Sequence, residues 1–519
     1  MTEKGVAIEI QESGEDDVGI GVKLGTENVE DYSKENVGAN KRIKDTSIDR
    51  LSALPDCLLI HILSFLGVKK AGVTSLLGKK WKYLWAELPV LEFHFDFSDE
   101  SEETKNTLDF VAWVNKTLAI RSGNHLEKLK VGFNYKICFD PDVDSWVEFA
   151  LKNKVKEVSL ILGESEDFYI LPEMMYSNSF LTSLSLDGCI LDPERPIQWP
   201  SLTSIEISDV HLPQHVLEMI LSGCPVLNSM NLSGCRGFTC LDINSNGLYN
   251  LRVENFEDEE QESDPFLQIS APYLKSLSIS LYPVEKKLKL TNLSSLVSAE
   301  FYFCEHMWSL PSEVLSNAKE YFENIHHAKE LVLGSGPVKA LAELVMNGWQ
   351  LPKSRLRCLT INVLCDAVRI VPGILGLLES SPDLETLIID SIDPYNWDEN
   401  WLPPEKCDLD SDLLHLKTVK MYYLANPTVG GEPMLTLARI LLKRATILEE
   451  MVIRADIIDM SDSVKLDYGI RSWPFEILLH VHVKNHEHIS VVRSFYLRNE
   501  MGFDASNCFP VCYSITLNV

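Results

Sequence analysis

No stretch of this 519-residue chain approaches the roughly 18 consecutive apolar residues of a membrane-spanning helix, which excludes such a helix. The start, MTEKGVAIEIQESGEDD, has no apolar signal core, so a soluble chain of the nucleus or cytoplasm is expected. Positive charge is scarce. Lys and Arg number 47 against 76 Asp and Glu, a formal net charge of -29. That balance repels phosphate backbones and anionic lipid, so neither nucleic acid nor a membrane surface is expected as a partner. The twelve cysteines include no pair of C-x-x-C knuckles, and the spacing of Cys508 and Cys512 fits no metal site. Cys189, Cys224 and Cys235 close apolar segments, so reduced, mostly buried thiols are expected. There is no G-x-S-x-G or other nucleophile signature. Leu333-Gly334-Ser335-Gly336-Pro337 lacks the G-K-[ST] of a phosphate loop, and its proline removes a donor amide. His480, His482, His486 and His488 form H-x-H-x-x-x-H-x-H, which reads more simply as exposed strand histidines than as a metal site. No catalytic residue, metal or cofactor is expected.

Residues 1–46 are rich in Glu, Asp, Gly, Asn and Ser and poor in aromatics, which reads as disorder. Lys41-Arg42-Ile43-Lys44 within them is a solvated basic patch or a weak nuclear signal. Asp49–Leu91 then reads as three short helices. Pro55 suits a helix start, and Leu58, Leu59, Ile62, Leu63 and Leu66 form a broad apolar face that Gly67 stops. Ala71, Val73, Leu76 and Leu77 mark a second helix, and Trp81, Leu84 and Trp85 a third. About forty residues cannot bury so much apolar surface alone, so part of it is expected to meet a partner.

The pieces D-R-L-S-x-L-P-D, L-L-x-x-I-L-S-F-L, V-x-T-S-L-L and K-K-W-K-Y-L-W give this stretch a resemblance to an F-box. The resemblance implies docking on a Skp-type adaptor and, through it, membership of a cullin–RING (SCF-type) ubiquitin ligase. It also implies an adaptor-contact set of Leu51, Leu54, Pro55, Leu58, Leu59, Ile62, Leu63, Val73, Leu76, Leu77 and Trp81. Three glycines depart from the family pattern: Gly67 with Val68 where Pro-Thr is usual, Gly72, and Gly78 where serine is usual. Each glycine inside a helix costs about 1 kcal/mol relative to alanine, so a weakened F-box is one expectation.

Downstream, the template L-x-x-L-x-L recurs with any apolar residue in its slots. It runs from Leu126-Leu129-Val131 through Leu181-Leu184-Leu186 and Leu274-Leu277-Ile279 to Leu448-Met451-Ile453. Starts lie roughly 20 to 32 residues apart, the period of leucine-rich repeats. His215–Ser222, Pro311–Asn324, Val338–Asn347, Val371–Ser380 and Glu432–Arg444 show helical spacing suited to the convex side. Leu91, Phe93, Phe95 and Phe97 read as a first strand, and Ile477, Leu479, Val481 and Val483 as a closing one.

The expected fold class is α/β: an N-terminal three-helix F-box followed by a leucine-rich-repeat solenoid. The order of parts resembles plant F-box/leucine-rich-repeat proteins, and Leu413–Ile453 resembles their FBD region. The expected division is 1–46 disordered, 47–90 F-box, 91–412 repeats, 413–454 FBD-like repeats and 455–519 a C-terminal extension or cap. Strand positions between the leucines point away from the repeat core. They form a small, polar face through the middle of the array, and Arg252, Tyr302, Lys420, Tyr422 and Arg454 are the candidate target contacts. The expected role is a non-catalytic substrate receptor for an unknown protein. Its alternatives are a small-molecule, hormone-like co-receptor, which the near isolation of Arg252 disfavours, and a non-ligase scaffold with a weakened F-box.

Overall fold

The computed structural model describes residues 51–95, 103–121, 126–163, 167–254, 266–281, 287–303, 312–363, 370–391, 409, 411–425, 432–457, 475–485 and 488–496. The segment 1–46, Phe97, the acidic run 257–262, Trp401, His486 and the pair Cys508 and Cys512 lie outside them. Of the N-terminal unit, residues 1–53, only the turn at 51–53 is described; the second unit begins at Leu54.

Among the described residues of that unit, sixteen strands form one sheet. It starts at Val90–His94 and takes one strand from every L-x-x-L-x-L site, from Lys128–Gly132 to Glu450–Ile457, each parallel to the last. The cause is local: alternate residues are buried, as in Ser183–Asp187 and Ser229–Ser233, so each unit offers the same two inward side chains to its neighbours. Leu184, Ile205, Met230, Leu251 and Leu277 therefore stand in one register row, all buried. The segment holding Ile477 to Val483 is the strand Phe475–Asn485, which turns antiparallel; His488–Tyr496 follows it as the last strand.

The described α-helices are α1 (Asp56–Leu63), α2 (Val68–Val73), α3 (Glu103–Ile120), α4 (Asp140–Lys152), α5 (Gln214–Gly223), α6 (Ser312–Ile325), α7 (Ser335–Met346), α8 (Val371–Ser380) and α9 (Glu432–Arg444). The last five answer the helical spacing in the sequence; α3 and α4 were not anticipated. Between α5 and α6 the return path is strand, not helix. Cys240–Asp242, Phe266–Ser270 and Lys287–Thr291 form a second parallel sheet. The Gln214 side chain occupies its edge, accepting from the Thr239 and Cys240 amides at 3.3 and 3.2 Å and donating to the Cys240 carbonyl at 3.1 Å.

The Leu333–Pro337 stretch is a packing turn. Gly334 ends a strand, and Ser335-Gly336-Pro337 is the buried first turn of α7. A Cβ on Gly336 would lie 2.5 Å from the Phe303 carbonyl oxygen, so only glycine lets α7 sit this close.

Among the described residues the thiols divide by position. Cys189, Cys224 and Cys235 are buried, Cys240 and Cys358 half-buried, and Cys57 and Cys138 exposed, fewer buried than expected. Burial pushes Cys224 and Cys235 up to about 12, and Cys189 is raised by the same cause. Below the ordinary thiol value, about 8.5, folded and unfolded chains both keep these protons. Above it only the unfolded chain ionises, so stability falls as pH rises from about 8.5 toward 12. Native alkylation at pH 8, read by peptide mass, should label Cys57 and Cys138 and spare Cys189, Cys224 and Cys235. The melting midpoint should drop above about pH 8.5, less steeply in Cys224→Ala.

The F-box-like stretch has no private core. Leu59, Leu63, Val68, Ala71, Trp81, Leu84 and Leu88 belong to the same hydrophobic cluster as Leu91, Phe93 and the repeats. The Arg121 guanidinium, just past α3, donates to the Ala86 and Leu88 carbonyls at 2.6 and 2.7 Å. The boundary expected between residues 90 and 91 thus falls inside one packed body.

Candidate functional site

Pro55 precedes α1 in extended backbone (φ -58, ψ 149), and its carbonyl accepts the first amides of the helix, from Leu58 at 3.0 Å and Leu59 at 3.1 Å. Ser64 Oγ donates back to the His61 carbonyl at 2.7 Å where α1 ends. Gly67 then starts α2 instead of stopping α1: it is the residue before the helix, and its carbonyl accepts from the Ala71 amide at 2.9 Å. Thr74–Leu77 is a 3-10 turn, and Gly78 follows in extended backbone. The expected third helix is a run of turns ending in a 3-10 turn, Leu84–Glu87. Of the three departures only Gly72 lies inside a helix, so the helix cost of glycine applies once.

This frame sorts the expected contact set. Leu51, Pro55, Leu58, Ile62, Val73, Leu76 and Leu77 are exposed, Leu76 to 85% and Leu77 to 65%, and Leu54 is half-buried. Leu59, Leu63 and Trp81 are corrected: they lie in the shared core and offer nothing to a partner while that core is closed. Phe65, absent from the expected set, is exposed to 77%, with the His61 ring edge-on at 5.0 Å. It sits one helical step beyond Leu58 and Ile62, a spacing visible in the sequence. Exposed apolar side chains this dense mark an interaction surface. Their setting is basic: Lys69, Lys70, Lys79, Lys80 and Lys82 are exposed, and no Asp or Glu occurs between Asp56 and Glu87.

The repeat face has a different chemistry. Its polar groups are engaged with one another across the strands. Ser185 Oγ and Asn231 Nδ2 both donate to Glu206, at 3.1 and 2.9 Å, and Ser278 Oγ donates to Glu300 at 3.0 Å. Arg252 is held by Glu254, its Nε 2.7 Å from Oε1 and its Nη2 on the same oxygen, which raises its pKa further. A target would meet that guanidinium with its charge already partnered by Glu254 and only its remaining N–H donors open.

Tyr302 lies beside Gly334, where a Cβ would come within 3.1 Å of its ring, and its hydroxyl accepts from Asn362 Nδ2 at 2.9 Å. Lys420 and Tyr422 are half-buried and share one strand, Thr418–Ala425, two strands beyond that of Asn362. Arg454 is in register with Tyr422, and its side chain lies outside the described set. The structure therefore brings Tyr302 together with Asn362, and Tyr422 into one row with Arg454; Arg252 stands two strands before Tyr302 in the sheet, within electrostatic reach of it. Among the described residues no group of three or more His, Cys, Asp or Glu is placed to hold a metal ion, and no helix is long and apolar enough to cross a membrane.

Residues 51–93 match the F-box domain family, and residues 117–455 match the family described as At1g61320/AtMIF1, LRR domain. The chain is similar to F-box/LRR-repeat protein At3g03360 of Arabidopsis thaliana, 27% identical over 416 residues that cover 71% of this chain and 80% of that protein. F-box/LRR-repeat protein At5g02910 of the same plant is 29% identical over 360 residues, covering 66% and 72%. F-box/FBD/LRR-repeat protein At1g78750, also of Arabidopsis thaliana, is 25% identical over 440 residues, covering 82% and 92%. With an F-box that exposes several of its apolar side chains and a repeat array in continuous register after it, the chain belongs to the plant-type F-box/LRR-repeat proteins, its repeats to the At1g61320/AtMIF1 LRR family.

Proposed function

We propose that this chain is the substrate-recognition subunit of an SCF-type cullin–RING ubiquitin ligase in the nucleus or cytosol. Its F-box (47–90) holds a Skp-type adaptor, and its repeats (91–412, with the FBD-like 413–454 and a closing segment 455–519) hold a protein target. The observation that carries the reading is the exposure of Leu58, Ile62, Val73, Leu76 and Leu77 within an F-box that matches its family. The lysines around them suit a partner whose apolar groove is rimmed by acidic groups. The contribution to chemistry is proximity: tethering raises the effective concentration of target lysines near the conjugating enzyme. A weakened F-box is less favoured, since only Gly72 lies in a helix. An acidic small-molecule ligand is less favoured too, since Arg252 is already neutralised by Glu254.

The test is co-purification of the full chain with a plant Skp-type adaptor, followed by size-exclusion chromatography. A stoichiometric complex is expected, and its absence beside an F-box protein that does bind ends the adaptor reading. Affinity capture from cells under proteasome inhibition addresses the target half. Proteins held by the repeats should be captured equally by wild type and by Leu76→Asp/Leu77→Asp, but should carry ubiquitin only with wild type.

A further inference from the structure

Leu54 and Pro55 lead into α1, Leu54 packed against the core and the Pro55 carbonyl closing the first turn of the helix. A further contact comes from the far side of the motif. Lys80, in the turn after Gly78, places its ammonium 2.5 Å from the Leu54 carbonyl oxygen and 3.3 Å from the Asp56 carboxylate. A single side chain thus bridges residues 54–56 to the segment that follows the exposed Leu76 and Leu77, 26 positions away in sequence.

We propose that Lys80 is a positioning residue for adaptor docking: it fixes Leu54–Asp56 so that Pro55 and Leu58 are presented in register with Leu76 and Leu77. The inference rests on the adaptor reading of the F-box. Three observations support it. Exposed apolar residues flank both ends of the bridge, Pro55 and Leu58 at one and Leu77 at the other, and the Lys80 ammonium lies outside the buried set that includes Leu59, Leu63 and Trp81. Both contacts are exposed, but the Leu54 carbonyl is an acceptor fixed by the backbone, whereas the Asp56 carboxylate is a side chain free to turn into water. The Asp56 side chain is 66% exposed, so its share is small. Preorganisation of this kind acts on association: without the bridge, residues 54–56 must be ordered when the adaptor binds, and that cost is subtracted from affinity.

The experiment measures adaptor affinity and thermal midpoint for the full-length wild type, Lys80→Met, Lys80→Arg and Asp56→Asn. Hydrogen exchange at the Leu58 and Leu59 amides, which close onto the Pro55 carbonyl, is read in the same proteins. Lys80→Met should weaken adaptor binding about tenfold, the effect of losing one charged hydrogen bond. Its midpoint should stay at the wild-type value, and the two amides should exchange faster. Lys80→Arg should recover most of the affinity, and Asp56→Asn should remain within about threefold of wild type. Wild-type affinity in Lys80→Met overturns the inference, as does a loss that merely follows a lowered midpoint. Failure of the wild-type chain to bind overturns the adaptor reading, and the inference with it.

Discussion

Leu76→Asp/Leu77→Asp is expected to abolish adaptor binding, by about a hundredfold or more, while leaving the melting midpoint of the chain where it was. Both side chains are largely in water, at 85% and 65%, so neither contributes to the interior and a carboxylate at either place stays hydrated. Burying a leucine at an interface is worth about 1.5–3 kcal/mol, and losing two exceeds the ~2.7 kcal/mol of a hundredfold change before any penalty for desolvating two charges. Leu63→Ala provides the opposite pattern from the same motif. Leu63 is 1% exposed, so its truncation should cost about 2–5 kcal/mol of stability and reach adaptor binding only through unfolding. Calorimetry and adaptor titration on the two variants separate the surface from the core. Equal loss of binding without loss of stability in Leu63→Ala would place that leucine in the interface and undo the partition.

That partition was the part of the site the sequence left undecided. Leu58, Leu59, Ile62 and Leu63 share one helix and one residue type, and α1 is apolar around more than half its circumference. Spacing alone cannot say which pair faces inward. The answer comes from the shared core, in which Leu59 and Leu63 are buried with Ala71, Trp81 and Leu84, residues far enough along the chain to be invisible to a local pattern. Phe65 is a related case: spacing places it one step beyond Leu58 and Ile62, and only its 77% exposure identifies it as surface. The repeat strands, by contrast, were legible in full, because alternation over five residues is a local signal that stacking only reinforces. The polarity of the sheet face was legible too. Its internal pairing was not, because the engagement of Arg252 depends on the rotamer of Glu254 two residues along the same strand.

The helices α3 and α4 were the largest omission, and they hold the most consequential buried side chain. Asp140-Pro141-Asp142 is a helix start, and Val143, Trp146, Val147 and Ala150 follow at i, i+3, i+4 and i+7, all buried. Trp146 is 1% exposed, its Nε1 donates to Asn115 Oδ1 at 2.6 Å, and Asn115 Nδ2 donates in turn to Asp142 at 2.6 Å, tying α3 to α4. Its ring also ends a chain of aromatic contacts that begins at the F-box end of the sheet: Phe93 to Trp113 at 4.9 Å, Trp113 to Phe110 at 6.0 Å, Phe110 to Phe133 at 5.8 Å and Phe133 to Trp146 at 5.6 Å.

Trp146→Ala should therefore destabilise the chain by about 3–5 kcal/mol through the cavity, with about 1–3 kcal/mol more for the Asn115 oxygen left without its donor. Trp146→Phe keeps most of the packing and loses mainly the hydrogen bond, so it should cost the smaller share. Because each repeat is stabilised chiefly by its neighbours, the damage should be graded along the array. Hydrogen exchange should show protection lost first in Val90–His94, Lys128–Gly132 and α4, while Ser204–Ser208 and Asn250–Glu254 hold. On the proposed role, loosening the F-box end in this way should spare adaptor capture but no longer hold the adaptor at a fixed distance from the repeat face, so target ubiquitination should fall further than either binding step. Uniform loss of protection across all the strands would mean that the F-box and the repeats unfold as a single cooperative unit, and that Trp146 stabilises the whole array and not the junction alone.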